Sequence, residues 1–316
     1  MRILVFGAGA VGQAVGCIFA AAGHEVDLVL RSRFADTIRS DGLRVCGIFG
    51  EFSAESGILG LAPSIDGHES KTYDYALITT KSYDTDTAVA ELVRLRDQSF
   101  TVISMQNGCG NLEKVAARFG ENRTLGVRVI TGFEIERPGV VRITVTADDV
   151  HVGGCREGTV PRQAAVFAEA LNSAGLPCVT TPYIKRDLFA KLLYSCALNP
   201  LGAVLRVHYG ALGDDPSART IMNGVIREVF AVIKVMDAST HWDSAEEYID
   251  FFYKHQIPAT YNHRSSMLQD IENVKRTEVD ALTGYVSAQG HLYGVPTPIC
   301  DMLSEQVRFM ERNRAR

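Results

Sequence analysis

Apolar positions along the chain fall into two rhythms. Ile3–Phe6 is a short unbroken apolar run, followed by a glycine turn over 7–12, a small-residue apolar helix over Val11–Ala22 and a second strand over Glu25–Leu30. This is a β-α-β unit. Tyr75–Thr79 and Thr101–Ser104 read as further buried strands, each entered from a polar segment and left by a helix, around 84–96 and 110–119. Alternation of this kind predicts a parallel, doubly wound sheet. From Arg123 the pattern turns β-rich: Thr124–Thr131, Val140–Thr146 after the turn Arg137-Pro138-Gly139, and Val150–Gly153. A helix over 161–174 and a strand over Pro177–Thr181 close this half. After Pro182 helical periodicity dominates, over 184–198, 216–236, 243–254, 265–274, 277–290 and 298–313. The expected domains are therefore 1–182 and 183–316. No repeat recurs at solenoid spacing.

Gly7-Ala8-Gly9-Ala10-Val11-Gly12 matches G-x-G-x-x-G and lies between a strand and a helix, as a dinucleotide-binding Rossmann-type fold requires. The first glycine makes the turn, the second lets backbone approach a pyrophosphate, and the third packs helix on strand, with the helix N-terminus facing the anion. A strand that holds the ribose 2′-hydroxyl of NAD ends on an acid; here the second strand runs into Leu30-Arg31-Ser32-Arg33, and Asp27 comes three residues too early. A guanidinium at Arg31 suits the 2′-phosphate of NADP, so NADP(H) is the expected cofactor. The plainer alternative is that Arg31 and Arg33 only face solvent.

Length and composition narrow the picture. The chain has 316 residues, enough for two domains at about 150 residues each. With 46% hydrophobic and 22% charged residues it has the make-up of an ordinary folded protein. A net charge of -5 argues against a nucleic-acid or membrane-surface partner, which needs a strong basic field. Seven cysteines are scattered singly with no C-x-x-C pair, and no histidine pair has ligand spacing, so neither a disulfide framework nor a metal is expected. The apolar start to Ala22 resembles a signal sequence, but Gly7, Gly9, Gly12 and Gln13 interrupt it at phosphate-loop spacing and a strand follows at once. A cytoplasmic location is expected, and no other segment reads as reaching the ~20 apolar residues of a membrane span.

Several polar residues stand where chemistry could occur. Lys81 follows one strand end and Asn107 another, at the carboxyl edge where open α/β sheets bind ligands. Lys81 could hold an anion and Asn107 could hydrogen-bond nicotinamide or substrate; an exposed lysine and a turn-forming Asn-Gly are the simpler readings. The segment 188–205 is nearly all apolar, yet Lys191, Ser195 and Asn199 recur at i, i+4 and i+8. They form one polar stripe, and a lysine there carries a desolvation cost that a solvated face does not explain. A snorkelling lysine is the alternative. Further on, Ser265 reads as an N-cap, Thr277 with Asp280 as a capping box, and Glu278 as a first-turn acid. The apolar helix around Ile221, Val225, Val229, Val232 and Val235 reads as core, and is also compatible with a homodimer through the helical half.

Taken together, GAGAVG at 7–12, TTKS at 79–82, QNG at 106–108, KLLYSCALNPL at 191–201, SSMLQD at 265–270 and TEVD at 277–280 resemble the ketopantoate reductase family along nearly the whole chain. The resemblance implies an N-terminal Rossmann domain, an all-helical C-terminal domain of the 6-phosphogluconate-dehydrogenase type and an active site in the cleft between them. It further implies NADPH-dependent reduction of 2-dehydropantoate to pantoate, a step of pantothenate and coenzyme A biosynthesis. By that similarity Lys191 is the catalytic acid, Glu278 a substrate-positioning carboxylate, Ser266 the ligand of the substrate carboxylate and Asn199 that of its hydroxyl, with Lys81 and Asn107 near the nicotinamide. Where well-known members carry asparagines this chain has Ser195, Tyr209 and His263, and Cys109 replaces a larger apolar residue. These departures fall in or near the substrate pocket and leave open another small 2-keto acid, while an NADP(H)-binding sensor without turnover is the alternative from a different class.

Overall fold

The computed structural model describes residues 1–95 and 99–313, and the Arg33 side chain lies outside that description, as does residue 96 of the expected helix over 84–96. Internal contacts divide the chain into two units: Met1–Asn107 with Asn111–Ile184, and Gly108–Gly110 with the chain from Lys185 onward.

The first unit contains β1 (Arg2–Phe6), α1 (Ala10–Ala21), β2 (Glu25–Val29), α2 (Ser32–Asp41), β3 (Leu43–Gly47), β4 (Phe52–Ala54), β5 (Gly60–Ala62), β6 (Tyr75–Ile78), α3 (Thr85–Leu92) and β7 (Thr101–Ser104). It continues with α4 (Asn111–Phe119), β8 (Thr124–Arg128), β9 (Thr131–Arg137), β10 (Val140–Thr146), β11 (Val150–Gly154), α5 (Arg162–Ser173) and β12 (Cys178–Thr180). Eight strands form the main sheet in the order β12-β11-β8-β7-β6-β1-β2-β5, parallel except where β11 meets β8. Successive side chains of a strand point to opposite faces, and β1 serves both. Ile3 and Val5 join α1 and α5 in one core, whereas Leu4 and Phe6 join α3 and α4 in another. Both faces are thus covered, which is why the central strands read as unbroken apolar runs rather than alternating ones.

The apolar rhythm does not announce α2 or the strands β3, β4 and β5. Among the described side chains of α2 only Ala35 and Ile38 are buried, too narrow a stripe to stand out in a polar decapeptide. The second sheet, β4-β3-β10-β9, depends on parallel pairing of β3 with β10, nearly a hundred residues apart, which no local pattern encodes. The run expected as one strand over 124–131 is two: β8 stays in the main sheet and β9 crosses to the second.

The second unit is helical: α6 (Ile184–Leu205), α7 (Tyr209–Asp214), α8 (Pro216–Val235), α9 (Ala245–Phe251), a π-turn over Phe252–Gln256, α10 (Ile257–Ala259), α11 (Ser266–Glu272), a 3₁₀ turn over Val279–Ala281, α12 (Thr283–Tyr293) and α13 (Pro298–Arg312). α6 does not stop at 198, before Asn199-Pro200, but runs through the proline. Pro200 offers no N–H to the Cys196 carbonyl, and the turn is held instead by burial of Leu201 and Ala203. At 22 residues α6 is also long and apolar enough by composition to cross a membrane, contrary to the expectation that no such segment follows the start; most of it is buried in the core of this unit. The helix expected over 277–290 starts only at Thr283. Thr277 therefore makes no capping box with Asp280: its hydroxyl accepts from Val279 N–H (3.3 Å), and Asp280 pairs with Arg276 and Arg308.

Candidate functional site

The order of the main sheet reverses at β1, whose neighbours are β2 on one side and β6 on the other. Ligands of open α/β sheets bind outside the carboxyl ends of strands at such a point. The glycine loop leaves β1 there. Gly7 has φ +91, and a Cβ on it would lie 2.2 Å from Thr80 Cγ2, so the turn excludes every larger residue. At Gly12 a Cβ would come within 2.4 Å of Thr79 Oγ1 and 3.1 Å of Val5 Cγ1, which ties the start of α1 to the sheet. Gly9 differs, because a Cβ there would meet only the Gly7 carbonyl oxygen at 3.9 Å. Packing within the chain does not require that glycine, which leaves open space against the backbone there.

α1 begins with no side-chain cap on Gly9 and no acid in its first turn. Its first amides and the positive end of the helix dipole are therefore left for an anion. Gln13, fully buried, donates from Nε2 to the Ala8 carbonyl (3.0 Å) and fixes the loop from behind. Ala8 is buried, whereas Ala10 and Val11 are half-buried at the opening of the helix. The loop thus fits a dinucleotide pyrophosphate by three separate features: the tight turn, the open Gly9 and the uncapped helix end.

The strand ends beside it are braced by side chains. Gln106 Nε2 donates to Thr85 Oγ1 (2.8 Å) and lies 3.2 Å from both Thr80 oxygens, linking the ends of β6 and β7. Thr85 Oγ1 directs its own proton between the Ser82 carbonyl (2.7 Å) and Asn111 Oδ1 (2.8 Å), and Asn111 Nδ2 donates to the Asn107 carbonyl (2.9 Å). Lys81, half-buried, leads into a 3₁₀ turn, and Asn107 is exposed with its carbonyl fixed. Arg31 is exposed directly after β2, as the residue preceding α2. Asp27 is occupied elsewhere: it is buried, accepts from Lys71 Nζ (3.0 Å to each oxygen) and Tyr73 Oη (2.7 Å), and so anchors the loop that follows β5. Among the described side chains, that leaves Arg31 as the charged one just beyond the carboxyl end of β2.

In the second unit Lys191 and Asn199 are half-buried and Ser195 is buried, four residues apart on one face of α6. The stripe starts one turn earlier, at Asp187, which is 2% exposed and lies 2.6 Å from His241 Nε2. Asn199 is held twice. Its carbonyl receives the Ser265 hydroxyl (3.4 Å), and its side-chain Oδ1 receives the Tyr209 phenol (2.5 Å). Ser265 also accepts from Leu268 N–H (3.0 Å), the expected N-cap, which places Ser266, exposed, at the start of α11. Tyr209 N–H donates to the His263 carbonyl (3.0 Å), and the two rings lie 5.2 Å apart. His263 is exposed to solvent yet partly crowded by protein, and this desolvation lowers its pKa. Asn199, Tyr209, His263 and Ser265 are thereby brought together. Glu278 is buried just before the 3₁₀ turn over Val279–Ala281.

Sequence reasoning passed over Asp187, although extending the i+4 spacing one turn back would have found it. It also passed over Gln106 and Thr85, whose role rests on partners in other elements. Burial pushes the Cys17 and Cys178 thiols up to about 12, which marks them as inert packing rather than nucleophiles.

Comparisons with known proteins agree along the whole chain. Residues 3–156 match the family model described as ketopantoate reductase PanE/ApbA, and residues 183–311 match the model of its C-terminal domain. A 2-dehydropantoate 2-reductase of Aquifex aeolicus is 33% identical over 98% of this chain and 97% of its own length, and one of Archaeoglobus fulgidus is 29% identical over 98% of each. Among solved structures, a PanE/ApbA family ketopantoate reductase of Ralstonia eutropha is 27% identical and superposes with a TM-score of 0.87 over 100% of both chains. A ternary structure of D-mandelate dehydrogenase with NADH and anilino(oxo)acetate shares the fold at 24% identity, with a TM-score of 0.85 over 99% of both chains.

Proposed function

The chain belongs to the ketopantoate reductase family, and on that premise we propose that it reduces 2-dehydropantoate to pantoate with NADPH, serving pantothenate and coenzyme A biosynthesis. The observation that carries this reading is the full-length match to 2-dehydropantoate 2-reductases together with the polar stripe inside an otherwise apolar α6. Cofactor binding is assigned to residues 1–182, and acid catalysis with substrate binding to residues 183–316. Gly7 to Gly12 cradle the pyrophosphate with backbone, Arg31 faces the 2′-phosphate, and Lys81 and Asn107 orient the nicotinamide end. The choice of NADP over NAD rests on Arg31 being exposed after β2 while Asp27 is engaged by Lys71 and Tyr73. Bound reduced nicotinamide supplies two electrons and the hydrogen that C2 of the keto acid gains.

Lys191 donates a hydrogen bond to the C2 carbonyl oxygen and gives up a proton as that oxygen becomes an alkoxide. It must begin charged. Glu278 positions the substrate beside Lys191. Ser266 holds the substrate carboxylate, Asn199 holds the substrate hydroxyl, and Ser195 and His263 shape the pocket around the rest of the acid.

The test is oxidation of NADPH by the purified protein with 2-dehydropantoate, beside a panel of small 2-keto acids and an NADH control. Turnover confined to 2-dehydropantoate and NADPH is expected. Turnover only with another acid would reassign the substrate, and binding of NADPH without turnover on any acid would leave a sensor.

A further inference from the structure

Tyr209 is 2% exposed, and its phenol proton needs an acceptor inside the protein. Among the described residues its hydrogen-bond partner is Asn199 Oδ1, at 2.5 Å. Burial holds the phenol well above its ordinary pKa, so it stays protonated and donates. This fixes which way the Asn199 amide faces: the carbonyl oxygen is turned toward Tyr209, and the two N–H donors toward the other side. The opposite orientation would oppose the amide N–H to the phenol and strand the phenol proton.

Tyr209 is itself held from two further directions. Its ring meets Tyr194 edge-on at 5.8 Å, Tyr194 in turn donates to Thr260 Oγ1 (2.9 Å), and its backbone N–H donates to the His263 carbonyl (3.0 Å). The neighbouring Gly210 N–H donates to the Tyr261 carbonyl (2.8 Å), which fixes the start of α7 against the same loop. The Asn199 carbonyl is tied separately, by Ser265. Backbone and side chain of Asn199 are therefore secured by different elements, and only the side-chain tie determines what the amide presents.

We propose that Tyr209 is a positioning residue that locks the Asn199 amide with its N–H donors toward the substrate, so that the site meets the substrate hydroxyl with a donor and binds it through its oxygen. The proposal rests on the reading of Asn199 as a substrate ligand. It assigns Tyr209 no contact with the reacting atoms. A donor-only Asn199 binds the hydroxyl through its oxygen lone pairs, whereas an amide free to turn would offer an acceptor half of the time and lose that preference.

The experiment is a double-mutant cycle of Tyr209→Phe and Asn199→Ala in the full-length protein, reading kcat and KM for 2-dehydropantoate and the Kd of NADPH. Phenylalanine keeps the ring packing and removes only the hydroxyl. Tyr209→Phe is expected to lower kcat/KM about tenfold, mostly through KM, with the Kd of NADPH unchanged, and to have less than a twofold effect once Asn199 is alanine. An equal loss in both backgrounds would make Tyr209 merely structural and overturn the proposal, as would wild-type kinetics in either single variant. A readout independent of turnover is the side-chain amide resonance of Asn199, assigned by its loss in Asn199→Ala. It should be a single dispersed pair in the wild type and move in Tyr209→Phe. If the wild type does not reduce 2-dehydropantoate, the substrate reading fails while this resonance still reports on the lock; an unmoved resonance overturns the lock itself.

Discussion

The glycine loop after β1 and the polar stripe on α6 are built by opposite means. The loop, proposed as the cofactor site, is made of backbone and is marked by atoms that are missing: no Cβ at Gly7, Gly9 or Gly12, no side-chain cap on α1 and no acid in its first turn. The stripe, proposed as the catalytic site, is made of side chains, and its Asn199 is aimed by others, with Tyr209 holding its amide and Ser265 its carbonyl. A backbone site fails when atoms are added, and a side-chain site fails when they are taken away. The two should therefore respond to different substitutions and in different observables.

The largest expected effect is on turnover. Lys191→Ala removes the proposed proton donor, and general acid catalysis with stabilisation of the forming oxyanion is worth roughly 10²- to 10⁴-fold, so kcat should fall by that factor in a steady-state assay. A loss below tenfold would remove Lys191 from the chemistry. Next comes Gly7→Ala, where a left-handed φ and a 2.2 Å overlap with Thr80 combine. The conformational term costs about 1–2 kcal/mol and the overpacking about 1–3 kcal/mol. A drop of at least about 2 kcal/mol in denaturant unfolding is expected, and an unchanged midpoint would mean that the turn tolerates a side chain.

How far each site was legible follows from the same contrast. The loop could be read almost whole from sequence because its requirements are local: three glycines at fixed spacing between a strand and a helix. The stripe was legible as spacing, Lys191 to Ser195 to Asn199, but the residues that aim it were not. Tyr209 lies in a helix, α7, that the apolar rhythm did not reveal, and His241 meets Asp187 across 54 positions of sequence. The same limit hid the second sheet, since β3 and β10 pair through tertiary contact alone. Pro200 hid the true length of α6, because a proline normally predicts a helix end and here packing of Leu201 and Ala203 overrides it.

A smaller effect concerns pH. His68 is buried beside Tyr73 (2.9 Å), and desolvation lowers its pKa. Its folded pKa then lies below the unfolded value of about 6.5, so the unfolded chain binds more protons in that window. The contribution of His68 to stability is present above about pH 6.5 and is lost as the pH falls through its folded value. His68→Gln should flatten the dependence of unfolding free energy on pH between about 5 and 7, and an unaltered slope would assign that dependence to other groups.

Titrating NADPH into Gly9→Ala and Lys191→Ala side by side, with the melting temperature of each recorded, tests the division of labour most directly. A Cβ at Gly9 meets nothing closer than 3.9 Å, so the fold should keep its stability to within about 1 kcal/mol while the Kd of NADPH rises about tenfold or more. Lys191→Ala should bind NADPH as the wild type does. Undiminished binding by Gly9→Ala, or equal loss of binding in both variants, would contradict a backbone site for the cofactor and a side-chain site for the chemistry.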